Sequence, residues 1–372
     1  MTGDQPIIHC SSSCKPHLYL ILSFQCDTIQ NHPLNHLNPH PKMADQHSTT
    51  TSSTIDPYEA LMVVHDPDHD TLTRNLPVLI TNATDDPNSK DILLNAQHNT
   101  WIRIFKPTVQ DLPATNKLPV IIYYHGGGFV LCSTFWTIYH EYCKSKATTL
   151  SAIVASVEYR LAPESRLPAA YDDAVDALNW VKHQASGGKP SEPWLRDYAD
   201  FSNCYIMGES AGGNIAYNVS LRASELDLGP VNISGVILNQ PFMGGIERTD
   251  SELRLINDKI LSLPVSDLMW ELSLPIGSNR NHPYCNLLIN EDEESLRKKC
   301  GFIKKCLVIG CDGDPLIDRQ VEFVKLLEGK GVKVETFMQE GGYHGMVYFE
   351  PKELEIMLER VKDFILSGAS RL

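Results

Sequence analysis

The chain is 372 residues long, 42% hydrophobic and 21% charged, with a formal net charge of −14. At this length and composition an ordinary globular protein with one large core and appendages is expected. The negative charge argues against a nucleic-acid partner, which needs stripes of Lys and Arg. It also disfavours an anionic membrane surface, and no run approaches the ~18 apolar residues of a membrane span.

Residues 1–42 differ in character from the rest. They hold Cys10, Cys14 and Cys26, five histidines (His9, His17, His32, His36, His40) and a short apolar run from Leu18 to Phe24. A signal peptide would need a basic leading region and a longer apolar core. The His and Cys scatter repeats no ligand spacing, so no metal site is expected. The reading is an unstructured extension, with Met43-Ala44 beginning the working protein and residues 46–55 (QHSTTTSSTI) a polar linker unable to pack a core. The ten cysteines include no CxxC pair, and Cys204 and Cys311 fall in strand-like stretches, which suits a reduced, cytoplasmic protein.

Foldable sequence begins at Asp56. Tyr58–Val64 is a short apolar stretch of helical character, and Trp101–Phe105 alternates as a strand does. Leu118–Tyr124 (LPVIIYY) and Ala152–Tyr159 (AIVASVEY) are buried-strand runs, with a helix expected over Tyr139–Thr149 between them. Pro168–His183 follows as a helix with proline in its first turn and Ala174, Leu178 and Val181 on one face. The pattern repeats with a strand at Asn203–Met207, a helix at Ala211–Glu225, and strands at Val231–Asn239 and Cys306–Gly310. A helix at Asp318–Glu328, closed by Gly329 and Gly331, precedes the last strand, Val332–Gln339, and the final helix, Pro351–Leu366. Strands alternating with helices predict an α/β fold, a mostly parallel central sheet with helices on both faces. Residues 242–288 break the alternation, are apolar in places and carry Pro264 and Pro275. An insertion of that size above a sheet is a candidate lid.

Gly208-Glu209-Ser210-Ala211-Gly212 is a G-x-S-x-G set between a strand and a helix, where a nucleophile elbow places its serine. Glycines without Cβ let strand and helix pass closely, and the helix N-terminus favours negative charge at Ser210. Alone the motif is weak. Directly after the strand Leu118–Tyr124, however, comes His125-Gly126-Gly127-Gly128-Phe129. Ester hydrolysis passes through a tetrahedral oxyanion, and Gly127, Gly128 and the amide of Ala211 can turn N–H donors towards it. A base and an acid should follow in the order Ser, Asp, His. His344, in Gly341-Gly342-Tyr343-His344-Gly345 after the last strand, is the base by near-elimination, since His282 is the other histidine of the C-terminal region. Three aspartates crowd one loop. Asp318 opens a helix and can serve as its N-cap, Asp312 can cap the turn, and Asp314, beside the rigid Pro315, is the chosen acid.

Taken together, HGGGF, Tyr159-Arg160-Leu161-Ala162-Pro163-Glu164, GESAGGN around Ser210, Gly313-Asp314-Pro315-Leu316 and GGYHG resemble the plant carboxylesterases of the hormone-sensitive-lipase-like branch. The resemblance covers Asp56 to the C-terminus. It implies the α/β-hydrolase fold, a triad of Ser210, Asp314 and His344, and an oxyanion hole from Gly126, Gly127, Gly128 and Ala211. No cofactor is implied. The resemblance further implies a helical cap from residues 56–104 and 242–288, which with Phe129 and Val130 would shape the substrate pocket. The expected substrates are short-acyl esters, such as acetyl esters, of small plant metabolites. Gibberellin receptors of the same branch lack the histidine, so His344 favours an enzyme over a hormone receptor. A non-hydrolytic use of the pocket, acyl transfer or elimination, is the remaining alternative.

Overall fold

The computed structural model describes residues 56–108, 117–289 and 292–369. The expected extension and linker, residues 1–55, lie outside them. The described chain opens with a short helix α1 (Pro57–Ala60), capped by the Asp56 carboxylate, and a hairpin of β1 (Val63–Asp66) and β2 (Thr71–Arg74).

Eight further strands form one sheet. They are β3 (Ser89–Asn95), β4 (Thr100–Phe105), β5 (Leu118–Tyr124), β6 (Ile153–Glu158), β7 (Ala199–Glu209), β8 (Ile233–Asn239), β9 (Lys305–Cys311) and β10 (Lys333–Gln339). Their order is β10-β9-β8-β7-β5-β6-β4-β3, and β4 alone runs against the rest. The central strands read as unbroken apolar runs because both their faces are covered. Val120, Ile122, Ile206, Leu238 and Val308 face a core completed by α3 (Ala169–Ala185), α5 (Ala211–Ala223) and α9 (Ile317–Gly329). Ile121, Tyr123, Met207, Ile237 and Ile309 face the opposite core, completed by α2 (Thr137–Thr149) and α10 (Pro351–Ala369). Single residues of alternating parity thus serve two helical layers, the period-2 geometry of a strand.

The sheet corrects one expectation. The segment 56–104, expected in the cap, divides: Ser89–Asn95 and Thr100–Phe105 are strands of the main sheet. Ile102 and Ile104 pair with Val157 and Ala155 and are fully buried, so burial on the sheet fixes this segment. What the N-terminal segment places beside the 242–288 insertion is α1, which packs on α7 (Leu263–Ser273), together with the β1–β2 hairpin. Arg166 ties these parts together, donating to Asp70 of the hairpin turn and to the carbonyls of Glu271 and Leu274. The β1–β2 hairpin, β3, α4 (Pro193–Tyr198) and α8 (Glu293–Cys300) went unforeseen, and the stretch Tyr58–Val64, expected to be helical, is helix only to Ala60 and strand from Val63. The insertion also holds α6 (Asp250–Arg254), begun by a capping box in which Thr249 and Glu252 exchange hydrogen bonds.

After β5 the chain goes to β6 on one side of it, and then crosses to β7 on the other. The carboxyl ends of β5 and β7 therefore flank the topological switch point, where open α/β sheets bind their ligands. The glycine loop follows β5, and Ser210 follows β7. The seven described cysteines are free thiols, and among the described residues no helix is long and apolar enough to cross a membrane.

Candidate active site

Ser210 joins β7 to α5 with φ 52° and ψ −120°, a conformation that side-chain-bearing residues rarely adopt. The crowding around it explains the flanking glycines. A Cβ on Gly208 would lie 1.9 Å from the Gly212 carbonyl oxygen, and one on Gly212 would lie 2.0 Å from the Tyr124 carbonyl oxygen. The turn is held on all sides. The Ser210 amide donates to the Asn239 carbonyl at 3.0 Å, and its carbonyl accepts from the amides of Gly213 at 2.9 Å and Phe242 at 2.8 Å.

The side chains of Ser210, His344 and Asp314 form one continuous hydrogen-bonded chain. Ser210 Oγ lies 2.9 Å from His344 Nε2, and His344 Nδ1 lies 3.0 Å from Asp314 Oδ2. A carboxylate can only accept, so Nδ1 carries the proton and Nε2 is left to accept from the serine hydroxyl. Asp314 is fully buried, and further donors fix its carboxylate: the Leu316 amide at 2.9 Å and Gln320 Nε2 at 2.9 Å. Burial alone opposes a charged His344. The charges of Asp314 and Asp258 and the Asp314 hydrogen bond outweigh it, and the imidazole pKa rises above its ordinary 6.5.

The two other aspartates of the loop have separate duties. Asp312 Oδ1 accepts from the Gly341 amide at 2.6 Å, bracing the histidine loop. Asp318 was expected to cap its own helix. Instead Leu316 occupies that position, and the Asp318 carboxylate accepts from the Ser251 amide at 2.7 Å, at the start of α6.

The glycine loop lies against the elbow, with the Cβ direction of Gly126 only 3.2 Å from Ser210 Cβ. Gly127 and Gly128 take φ of 109° and 61°, and their amides donate to no acceptor among the described residues. The Ala211 amide, first in α5, is likewise outside the helical ladder. His125 is fully buried and stacks on Tyr159 at 4.3 Å, with its Nδ1 2.8 Å from the Gly126 carbonyl oxygen. Burial pushes its pKa down to about 4, so it is a neutral strut. Phe129 and Val130 are both buried. Phe129 packs with Trp270, whose indole stacks on Phe242 at 4.5 Å, while the Val130 carbonyl accepts from Arg74 Nε at 2.7 Å. From the insertion above, Ser273 Oγ donates to the Gly128 carbonyl at 3.2 Å. The Met269 thioether fills the space where a Gly128 side chain would stand.

Several supporting residues escaped the sequence reading. Gln240, just past β8, accepts from the Gly345 amide at 2.8 Å and donates to the Tyr343 carbonyl at 3.1 Å, clamping the loop that carries His344. Its place at the carboxyl end of a strand was the one available signal. Gln320 and Ser273 sit inside helices and carried none. Among the described residues, His98, Asp173 and Asp176 come within metal-ligand range of one another, but Arg160 already grips the Asp173 carboxylate.

Residues 121–348 match the model of a protein family with the α/β-hydrolase fold. The chain is 58% identical over 313 residues to 3-O-acetylpapaveroxine carboxylesterase CXE2 of Papaver somniferum, a match spanning 83% of this chain and 99% of that protein. It is 45% identical over 318 residues to probable carboxylesterase 8 of Arabidopsis thaliana, covering 85% and 95% of the two chains. An esterase of Pyrobaculum calidifontis superposes with a TM-score of 0.62 at 25% identity, over 79% of this chain and 87% of its own. With that fold, a serine on its elbow and these relatives, the chain belongs to the α/β-hydrolase family, in its plant carboxylesterase branch, and is a carboxylic ester hydrolase.

Proposed function

We propose that this hydrolase cleaves short-acyl esters, acetyl esters above all, of small plant metabolites through an acyl-enzyme on Ser210. The observation that carries the reading is the unbroken chain from Asp314 through His344 to Ser210, at 3.0 and 2.9 Å. In the first half-reaction His344 Nε2 takes the Ser210 proton while Oγ attacks the ester carbonyl carbon. The resulting oxyanion is met by the amides of the glycine loop, Gly127 and Gly128 with Gly126 beside them, and by that of Ala211. Asp314 holds the tautomer and stabilises the imidazolium, which then protonates the departing alcohol. In the second half-reaction water, deprotonated by His344, attacks the acyl carbon, and Ser210 regains its proton as the acid leaves.

Two features support a short acyl group. The Phe242 amide bonds to the Ser210 carbonyl, and Phe242 packs with Phe129 and Trp270 in one buried aromatic cluster. The relatives named for acetylpapaveroxine point the same way and suggest an alkaloid-type alcohol. The test is a series of esters of one alcohol with acyl chains from acetyl to decanoyl, measuring acid and alcohol released in water. Equal amounts of both, with kcat/KM highest at the short end, are expected. A preference for the longest chains would overturn the acyl assignment, and alcohol release without free acid would indicate transfer in place of hydrolysis.

A further inference from the structure

Behind the nucleophile lies a set of charged and phenolic groups that take no direct part in the ester chemistry. Glu209, the residue before Ser210, is buried, and Lys146 of α2 is wholly buried. Lys146 Nζ stands 3.1 Å from Glu209 Oε1, which also accepts from the Tyr142 hydroxyl, and Tyr123 donates to Oε2 at 3.2 Å. The ammonium lies over the Tyr142 and Tyr123 rings, 3.0 and 3.8 Å from their centroids. Tyr348 closes the cage, its hydroxyl 3.3 Å from that of Tyr123 and its ring 4.9 Å from that of Tyr142.

Stability does not account for such a pair. Taking two charges out of water offsets most of their attraction, and buried ion pairs can often be replaced by apolar groups without loss. Placement offers a better reason. Glu209 adjoins Ser210, and Tyr123 ends the strand that delivers the glycine loop. Tyr348 lies four residues past His344, with its hydroxyl near Gly126. The cage therefore touches all three loops that must keep register, and its one carboxylate belongs to the residue that directly precedes Ser210.

We infer that Lys146 and Glu209 are positioning residues for the nucleophile. Clamped by Lys146 and the tyrosines, Glu209 holds the strained Ser210 elbow in register with the glycine and histidine loops. Lys146 cancels the carboxylate's charge, which would otherwise oppose the oxyanion in a low-dielectric surrounding. The inference rests on Ser210 being the nucleophile.

The test compares Lys146→Met, Glu209→Gln and the double variant, by melting temperature, kcat, KM and the rate at which an organophosphate labels Ser210. Lys146→Met strands a buried carboxylate and should lose both stability and at least tenfold in kcat. The double variant should melt near the wild type, yet keep a tenfold or greater loss in kcat and in labelling rate, with KM within about twofold. Return of kcat and labelling together with stability would overturn the inference, leaving the pair a packing feature. Tyr142→Phe guards against a series that fails to fold, since it keeps the ring and removes one donor to Glu209. It should lower kcat at least threefold at unchanged KM, and an unaltered kcat would count equally against the inference. Wild-type labelling away from Ser210 would instead refute the nucleophile assignment.

Discussion

In the proposed mechanism His344 must be neutral to take the serine proton, yet the fold raises its pKa above 6.5. The raised value means that kcat/KM is present at higher pH and is lost as pH falls through a pKa above the ordinary imidazole value. Asp258 lies outside the hydrogen-bonded chain but contributes to that rise, so Asp258→Asn should move the acid limb of the kcat/KM profile to lower pH. An unmoved limb would show that the Asp258 charge does not reach the imidazole. The three aspartates of the acid loop separate by orders of magnitude. Asp314→Asn should leave the imidazole in the wrong tautomer and lower kcat by about 10⁴, the scale seen for the equivalent change in a serine protease. Asn at 312 or 318 retains an oxygen that can still accept from Gly341 or Ser251, so both variants should stay within a few-fold of wild type. A near-normal Asp314→Asn enzyme beside an inactive Asp312→Asn one would reverse the assignment. Ser210→Ala should lower kcat by about 10⁶ with the melting temperature unchanged, the scale expected when triad members act as a unit.

At the scale of elements, the site is made by four loops leaving the carboxyl ends of parallel strands, and their legibility differed. The G-x-S-x-G and HGGG runs announce themselves because close backbone approach admits only glycine there. Gly212→Ala would press a Cβ onto the Tyr124 carbonyl oxygen, rigid backbone on both sides, and should cost at least the ~1–3 kcal/mol typical of overpacking. Gly329→Ala, at the open end of α9 with nothing within 4 Å, should instead be neutral or stabilise by up to about 1 kcal/mol. Thermal unfolding of the two variants measures the contrast, and a tolerated Gly212→Ala would mean that elbow and glycine loop are less tightly apposed than described. Gln240, Gln320 and Ser273 were illegible for an opposite reason. Each acts through a hydrogen bond to a segment at least six residues away, and a lone glutamine or serine has no local pattern that reveals its partner. The N-terminal cap boundary failed similarly. Alternation was read at Trp101–Phe105, but whether such a strand joins the main sheet or the cap depends on pairing with β6, which local sequence does not encode.

For the whole molecule, sheet and insertion meet at the glycine loop. The sheet sets the positions of Ser210, Asp314 and His344, while Ser273 and Met269 of α7 bear on Gly128 from above. The hairpin reaches the same loop through Arg74, which donates to the carbonyls of Val130 and Ala162 and pairs with Glu164. The mostly parallel sheet was recoverable from alternation and length, because the five strands β5 to β9 are buried on both faces and leave long apolar runs, whereas the order β10-β9-β8-β7-β5-β6-β4-β3 is set by pairings that no local pattern announces. In the proposed mechanism one serine carries the chemistry of this assembly. Titration with an organophosphate that releases a coloured leaving group, followed by peptide mapping, tests it most directly. One leaving group should be released per chain, with the phosphoryl group on Ser210 and esterase activity falling in proportion to labelling. Full loss of activity with Ser210 unmodified, or full labelling of Ser210 with activity retained, would contradict it.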